Sequence, residues 1–384
     1  MDPDRENNPL TTGLYIHFPF CRSKCPYCAF YSEIYSQHLV SSFLVALPHE
    51  VALLPFHPTN IETIYLGGGT PSLIPELELA ELLKNIQMNL SSVEEFTIEV
   101  NPATITPQKL NTYKALGINR ISLGVQSLDD EELKFLGRIH SPSDAMKSLE
   151  LIFKAGFENV STDLIYGIPS QDERTFKHSL TELLNNFPLT HLSVYLLGYE
   201  EGTPLYEHLK AKSVVQMNEE QEEKLYRVAQ ELISSSELEQ YEVSSFARPG
   251  YACKHNIGYW RCLSYIGLGP SSHSFWSPVD VRWANIKDVK GYISLVTKEQ
   301  RPIAFQEKLG KRERMEEFII LGLRLTEGIS TDTFRELFKQ ELLDLIPEHL
   351  ISNGFLVIDD DRVKIPADRM FISNEIIGEA IREV

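Results

Sequence analysis

Three cysteines within eight residues carry the most specific chemical signal in the sequence. Cys21, Cys25 and Cys28 form a C-x3-C-x2-C pattern on a short segment that also contains proline and lysine. Thiolates spaced this closely can converge on one metal centre, and a [4Fe–4S] cluster held by only three of them leaves one iron open to a small molecule. The pattern therefore predicts an iron–sulfur loop.

Two other interpretations of the cysteines have to be weighed. Zinc sites also use C-x2–4-C spacings, and His17 could supply a fourth ligand. A second C-x2-C pair, which structural zinc sites usually have, is missing, although Cys253 and Cys262 could complete such a site. Inert cysteines fit poorly with three thiols on one turn. The spacing favours iron–sulfur over zinc, and Cys262 receives no role.

The elements that would position this loop alternate between strands and helices. Near-continuous apolar or β-branched runs predict strands at 14–18, 61–66, 95–100, 120–123, 159–163 and 191–196. Helical patterns lie between them at 37–47, 75–90, 107–116, 144–155 and 173–186. Strand–helix units of about 30 residues predict an α/β fold, either a βα barrel or a doubly wound sheet.

Polar or glycine residues follow the predicted strands in order. A Gly-Gly-Gly-Thr-Pro segment occupies 67–71, Glu99 ends the third strand, Gln126 follows the fourth, and Asp163 ends the fifth. Any one of these could be a turn, a helix cap or a surface ion pair. In a βα barrel, however, functional groups collect at the carboxyl ends of the strands. Their joint occurrence predicts one site at that end.

The cysteine spacing, its position after the first strand, and Tyr27 before the third cysteine resemble the radical S-adenosylmethionine (SAM) superfamily. The resemblance implies a partial βα (TIM-like) barrel with a [4Fe–4S] cluster at the three cysteines. It also implies that an electron from the cluster cleaves SAM, and hence a low-potential electron donor. The SAM-binding residues that it implies are Tyr15, Tyr27, Gly68, Gly69, Thr70, Glu99, Gln126, Arg138 and Asp163.

Most of the chain resembles the oxygen-independent coproporphyrinogen III oxidase family of radical SAM proteins. The true oxidases in that family typically carry a fourth cysteine two positions after the third, where this chain has Phe30. They also carry a longer arm before the cluster than the 20 residues that precede Cys21. Both differences disfavour oxidative decarboxylation of coproporphyrinogen III, which stays as the alternative function. Whether the chain is an enzyme is left open.

A second motif divides the family. The segment His255-Asn256-Ile257-Gly258-Tyr259-Trp260 resembles the haem-binding HNxxYW signature of the HemW-type haem chaperones. The resemblance implies haem contacts at His255, Asn256, Tyr259 and Trp260, and transfer of haem to an acceptor protein. Cys253, two residues before His255, could ligate the iron, attach haem or do neither. The alternative for His255 is a packed histidine that hydrogen-bonds its neighbours.

The chain divides by pattern into three parts. We expect a radical SAM barrel domain over 12–240, an irregular segment with the haem motif over 241–285, and a mainly helical, winged-helix-like domain over 286–384. Helices are predicted at 218–233, 311–325, 330–338 and 342–353, and a hairpin at 355–365.

Composition limits the partners. The formal net charge is −18, and the last 75 residues contain 10 Lys or Arg against 16 Asp or Glu, which argues against nucleic-acid binding. No run approaches the ~20 apolar residues of a membrane span. Met1 to Leu10 lack the basic and apolar regions of a secretory signal. We therefore expect a cytoplasmic protein.

Overall fold

The computed structural model describes residues 11–56, 58–86 and 88–382. The segment Met1 to Leu10, in which we expect no secretory signal, lies outside the described residues. Among those that are described, no helix has both the length and the apolar character needed to cross a bilayer.

The strands fall into one large sheet, one small sheet and one short pair. In chain order they are β1 (Thr11–Phe18), β2 (Phe20–Cys21), β3 (Glu33–Ile34), β4 (Asn60–Gly68), β5 (Glu95–Val100), β6 (Arg120–Gln126), β7 (Asn159–Tyr166), β8 (His191–Leu196), β9 (Glu239–Gln240), β10 (Ser245–Ala247), β11 (Ser264–Leu268), β12 (His273–Trp276), β13 (Val281–Asn285), β14 (Ile303–Lys308), β15 (Ile329–Ser330), β16 (Val357–Asp359) and β17 (Arg362–Lys364).

Most helices connect consecutive strands or pack on the carboxyl-terminal module. They are α1 (Gln37–Ala52), α2 (Glu76–Asn85), α3 (Pro107–Ala115), α4 (Asp130–Phe135), α5 (Pro142–Lys154), α6 (Glu173–Asn186), α7 (Pro204–Lys210), α8 (Glu219–Ser234), α9 (Lys254–Trp260), α10 (Val289–Thr297), α11 (Lys311–Gly322), α12 (Thr331–Phe338), α13 (Glu348–Ser352) and α14 (Ser373–Ala380).

The large sheet has 12 strands in the order β14-β13-β12-β11-β1-β4-β5-β6-β7-β8-β10-β9. The seven strands from β11 to β8 are parallel, and those outside them are antiparallel. The sheet has two free ends in the described structure, as a partial barrel does. The predicted α/β class is confirmed, and the carboxyl ends of the parallel strands all lie at one edge.

Local signals explain the strand–helix alternation. The parallel strands bury most of their residues, as the continuous apolar runs predict. Helix α5 begins with a capping box between Ser141 and Asp144, followed by Pro142 at its first position. Thr106 caps α3 in the same way by accepting from the Lys109 amide. These caps fix where α3 and α5 begin.

The prediction that residues 241–285 lack regular secondary structure is wrong. The segment contains β10, α9, β11, β12 and β13, and all four of these strands join the large sheet. The strands are three to five residues long, too short to show a period in the sequence. Gly267 in β11 permits the tight pairing with β12, since a Cβ there would lie 2.1 Å from the His273 carbonyl oxygen. The domain boundaries themselves remain a prediction.

The carboxyl-terminal module has the order of a winged helix. Helix α11 is followed by β15, by α12 and α13, and by the hairpin β16–β17, with β17 at the centre of the three strands. The predicted hairpin is present. The single helix predicted over 342–353 is wrong, because Pro347 separates a short 3-10 turn, Leu342–Asp344, from α13.

Candidate cofactor site

The cysteine loop lies between β1 and α1, at the carboxyl edge of the large sheet. Cys21, Cys25 and Cys28 are free thiols, and the Cys28 amide donates to the Cys25 carbonyl oxygen at 3.2 Å to close a turn. All three line one space of about 430 Å³, which is enclosed by this loop and by the inner faces and carboxyl ends of β4 to β8. We call this space the central cavity.

The glycine motif after β4 holds the cysteine loop in place. A Cβ at Gly69 would lie 2.6 Å from the Phe20 carbonyl oxygen, so the two backbones meet only because Gly69 has no side chain. The Thr70 amide donates to the same Phe20 oxygen at 2.8 Å. Gly68 has a φ of 110° and donates its amide to Glu99 at 3.1 Å. The motif therefore aligns the cysteine loop with the end of β5.

Two polar side chains approach the cysteine sulfurs. The Thr70 hydroxyl lies 3.6 Å from Cys21 Sγ, and Arg138 Nη1 lies 3.7 Å from Cys25 Sγ. Burial, and to a lesser extent the neighbouring Cys25 and Cys21, raises the pKa of the Cys28 thiol. In the described part of the chain, no three Cys, His, Asp or Glu side chains are grouped so that they could hold a metal ion. The three sulfurs line one cavity, but they are not grouped closely enough to bind one metal ion together.

His17 does not point towards the cysteines as a zinc ligand would. Its Nε2 lies 2.9 Å from the Tyr31 carbonyl oxygen and its Nδ1 lies 3.0 Å from the Tyr15 hydroxyl. Burial lowers the pKa of His17 to about 4, so the ring is neutral at pH 7 with both nitrogens engaged. The fourth ligand considered for a zinc site is therefore used inside the fold.

Arg138 ties the cysteine loop to two strand ends. Its Nη2 donates to Asn101 Oδ1 at 2.6 Å and to the Gly124 carbonyl oxygen at 3.0 Å. Asn101 in turn donates to the Thr70 hydroxyl at 2.8 Å. The buried Nε of Arg138 has no hydrogen-bond partner among the described residues. A buried guanidinium with an unused donor at a cavity wall is suited to an anionic ligand group.

Two carboxyl groups face each other in the cavity. Glu99 accepts from the Tyr65 hydroxyl at 3.0 Å, and Asp163 accepts from Ser122 at 3.2 Å. Burial, and then the charge of Asp163, raises the pKa of Glu99 to about 7. Burial also raises the pKa of Asp163. A cation placed between them would favour the ionised form of both.

Gln126 has a strained backbone at the end of β6. Its φ is 70°, a left-handed conformation that non-glycine residues rarely adopt. A Cβ at Gly124 would lie 2.9 Å from Gln126 Nε2, so glycine at 124 leaves room for this side chain. Strain of this kind persists where the surrounding structure fixes it, and it gathers at functional sites.

The structure brings most of the predicted SAM residues together. Those that line the central cavity are Tyr27, Gly68, Gly69, Thr70, Glu99, Gln126, Arg138 and Asp163. Tyr15 does not line it and instead packs between Tyr65 and His255, at ring-centroid distances of 6.2 and 6.5 Å. The roles of all these residues remain predictions.

Sequence reasoning missed several polar residues of the cavity. Asn101 comes two positions after Glu99, and Ser122 and Ser193 share a strand face with residues that are already in the site. Alternation along a strand places positions two apart on one face. This period of two was the signal that could have found Asn101 and Ser122, whereas β8 holds no predicted site residue that would point to Ser193.

The helix α9 carries the HNxxYW motif and is anchored to β5. The Glu95 carboxylate accepts from the backbone amides of Lys254 and His255, both at 3.1 Å, and lies 3.5 Å from Cys253 Sγ. Burial raises the pKa of the Cys253 thiol to about 12. Sequence reasoning did not single out Glu95, since a carboxylate at the start of a strand is usually exposed.

His255 is packed inside the fold. Its Nδ1 lies 2.8 Å from the Thr63 hydroxyl and its Nε2 lies 2.8 Å from the Tyr259 hydroxyl, while its ring stacks on Tyr65 at 5.3 Å. Burial lowers its pKa to about 3. Coordination of haem iron would require one of these hydrogen bonds to break, so the proposed ligand role of His255 stays a prediction.

The other motif residues face different spaces. Asn256 lines the central cavity. Tyr259 and Cys262 line a smaller space of about 300 Å³ beside α11. Trp260 lines a larger space, of about 800 Å³, towards the carboxyl-terminal module. Helix α9 therefore forms a wall between the central cavity and spaces on its far side.

Comparison with known proteins agrees with this architecture. A family model described as the radical SAM superfamily matches residues 15–183, and one described as the HemN C-terminal domain matches residues 309–367. A solved structure of coproporphyrinogen III oxidase from Escherichia coli, described as a radical SAM enzyme, superposes with a TM-score of 0.81 at 21% identity, covering 98% of this chain and 92% of that one. This likeness shows the fold.

Curated relatives match nearly the whole chain. "Heme chaperone HemW" of Bacillus subtilis is 32% identical over 96% of this chain and 99% of its own length. The mitochondrial "Radical S-adenosyl methionine domain-containing protein 1" of Mus musculus is 32% identical over 93% of this chain and 84% of its own. The chain belongs to the HemW family of radical SAM proteins.

Proposed function

We propose that this chain is a haem chaperone that holds a [4Fe–4S] cluster and SAM in the central cavity and passes haem to an acceptor protein. One observation carries the proposal. Three free thiols and the polar strand ends face one cavity. The Bacillus subtilis relative that matches 96% of this chain is named a heme chaperone. The location that suits it is the cytoplasm.

The cavity residues fit the two cofactors. Cys21, Cys25 and Cys28 would ligate three irons, and donors near the sulfurs stabilise thiolates. When bound, the cluster supplies an electron for cleavage of SAM, taken from a low-potential donor. The unused Nε of Arg138 supports binding of an anionic group at that wall.

The remaining cavity groups suit the rest of SAM. Glu99 would hold the ammonium group, and Asp163 would accept from ribose hydroxyls. Gln126, fixed by its strained backbone, would contact the nucleotide. Tyr27, Gly68, Gly69 and Thr70 line the same wall and would shape it, while Tyr15 would act from behind by supporting Tyr65.

For haem, the motif supports contact with the porphyrin but does not identify an axial ligand to the iron. Trp260 faces a large cavity and Asn256 faces the central one. His255 would bind iron only after giving up a hydrogen bond to Thr63 or Tyr259. We therefore assign His255 and Tyr259 to the wall that orients the motif, and Trp260 to direct contact.

Haem titration of anaerobically purified protein tests the proposal. We expect a Soret band that saturates at one haem per chain, replacement of that band by the holomyoglobin spectrum on adding apomyoglobin as a generic acceptor, and iron with acid-labile sulfide in the same preparation. His255→Ala should weaken the band because α9 loses its packing. The exposed His38→Ala is the matched control and should leave it unchanged.

Two results would overturn this function. One is a spectrum without haem binding by the wild type. The other is conversion of coproporphyrinogen III to protoporphyrinogen in the presence of SAM and a reductant, which would identify an oxidase instead.

A further inference from the structure

The largest cavity near the carboxyl-terminal module lies outside the central cavity. Its volume is about 800 Å³, within the range of roughly 300–1,000 Å³ typical of cofactor sites. It lies between the turn after α9, the helices α11 and α12, and the small sheet of β15 to β17. We call it the C-terminal cavity; its apolar wall is formed mainly by Trp260, Phe318, Leu325, Ile329, Leu337 and Phe338.

The apolar wall of this cavity has two unusual features. Leu337 on α12 is 54% exposed, at a surface position where a polar side chain would also fit. Trp260 is covered on one ring face by the Arg324 guanidinium, 4.8 Å from the ring centroid, and its buried indole N–H has no hydrogen-bond partner among the described residues. A wall of aromatic and aliphatic groups with a fixed tryptophan is suited to a flat apolar ligand.

The charge around the C-terminal cavity is opposite to that of the chain. Five lining residues are basic and three are acidic, whereas the chain carries −18 overall. Arg314 pairs with Asp280 at 2.8 Å, and Arg261 pairs with Glu327 at 2.7 Å.

Two basic side chains at the mouth of the C-terminal cavity are uncommitted. Lys311 and Lys339 are exposed lining residues, and neither forms an ion pair with any described residue. Two such lysines beside an apolar wall complement a ligand with a flat apolar body and two carboxylates.

The central cavity offers less room for such a ligand. At about 430 Å³ it is roughly half as large, and its wall contains the residues proposed for the cluster and SAM. The imidazole nitrogens of His255, the iron-binding type of group in the haem motif, are both hydrogen-bonded inside the fold. Trp260, five residues after His255 in the same motif, lines the C-terminal cavity.

We propose that the C-terminal cavity is where haem docks, with the macrocycle against Trp260 and Leu337 and the propionates at Lys311 and Lys339. This inference rests on the proposed function and locates its haem site. It assigns a ligand-binding role to the winged-helix-like module, which closes one side of the site. The cluster and haem would then lie on opposite sides of α9.

Two sets of variants test the location. Leu337→Glu places a carboxylate on the apolar wall, and we expect it to weaken haem binding at least about tenfold. The double variant Lys311→Glu with Lys339→Glu should weaken it about tenfold for haem but leave haem dimethyl ester, which lacks the free propionates, within about twofold. Lys290→Glu with Lys298→Glu, exposed lysines outside the cavity lining, is the matched control.

The outcomes separate this inference from the proposed function. Absence of haem binding by the wild type would defeat both. Normal haem affinity in folded Leu337→Glu and in the double lysine variant would defeat the location and leave the function standing. Equal loss of haem and of its dimethyl ester in the lysine variant would defeat the propionate contacts. Circular dichroism and urea unfolding establish that each variant is folded, which is expected since the changed side chains are exposed.

Discussion

The central cavity and the C-terminal cavity are built on different principles. The first lies where the parallel strands β4 to β8 end, so one rigid sheet fixes every group that lines it. The second lies between the sheet-bound helix α9 and a separate winged-helix-like module. A frame of strand ends favours precise placement of cofactors, while a gap between two modules favours entry and release of a large ligand.

The largest expected effect separates the two cavities. Changing Cys21, Cys25 and Cys28 together to alanine should reduce iron and acid-labile sulfide to background, because the one other thiol that lines the central cavity, Cys253, cannot replace three ligands. Haem affinity should stay within about twofold, since the C-terminal cavity shares no residue with it. Ser23→Ala, an exposed change in the same loop, is the control and should keep the cluster. If the triple variant lost haem binding as well as iron, the two sites would not be independent.

The sequence predicted the first cavity far better than the second. Strand runs with polar residues at their ends could be recognised one by one, and a parallel sheet must gather those ends. The C-terminal cavity combines Trp260 with Leu337 and Lys339, which no shared motif or period links. Its existence depends on how α12 packs, and tertiary packing of this kind leaves no local pattern in the sequence.

The same reasoning explains where the structure departs from simple strand-end expectations. Tyr15 shares a strand with residues near the site, but its side chain points into an aromatic layer behind the cavity. The strands at 241–285 were missed because they are short and pair with β1 and β8 from far away in the chain. For His255 the sequence left haem contact and a packed histidine open, because the motif does not reveal the partners that bond both its ring nitrogens.

The next prediction concerns pH and the central cavity alone. The pKa of Glu99 is raised to about 7, so it is largely protonated at pH 6 and mostly ionised at pH 7.5. Because the contact proposed for the SAM ammonium group needs the carboxylate form of Glu99, SAM affinity should rise about eightfold over this interval. Calorimetric titration at each pH measures it.

Two variants identify the group responsible for that trend. Glu99→Gln should weaken SAM binding and flatten its pH dependence, while the exposed Glu150→Gln should change neither. Asp163→Asn should move the trend to lower pH, since a neighbouring negative charge is removed. Tyr15, Tyr65 and Tyr259 also face Glu99, but burial raises their pKa values above 10. An unchanged trend in Glu99→Gln would assign it to another group.

The smallest expected effect concerns the wall between the cavities. Glu95→Gln replaces a carboxylate oxygen by an NH2 group facing the backbone amides at the start of α9, and should lower the free energy of unfolding by about 1–3 kcal/mol. Urea unfolding measures this loss. The adjacent Glu94→Gln disrupts the half-exposed ion pair with Lys254 and should cost less than about 1 kcal/mol. Equal costs for the two would show that Glu95 does not anchor α9.

Because β11 pairs with β1, the large sheet can be completed only after β11 has been synthesised. Thr12 pairs with Ser264, about 250 residues later, so one edge of the first strand stays unpaired until β11 has been translated. At roughly 5–20 residues per second, that interval is on the order of 10–50 s. During it, the nascent chain exposes an apolar strand edge directly before the cysteine loop, a form that favours misassociation. Pulse proteolysis of ribosome-bound chains of increasing length should therefore find the loop protected only after residue 268 has emerged.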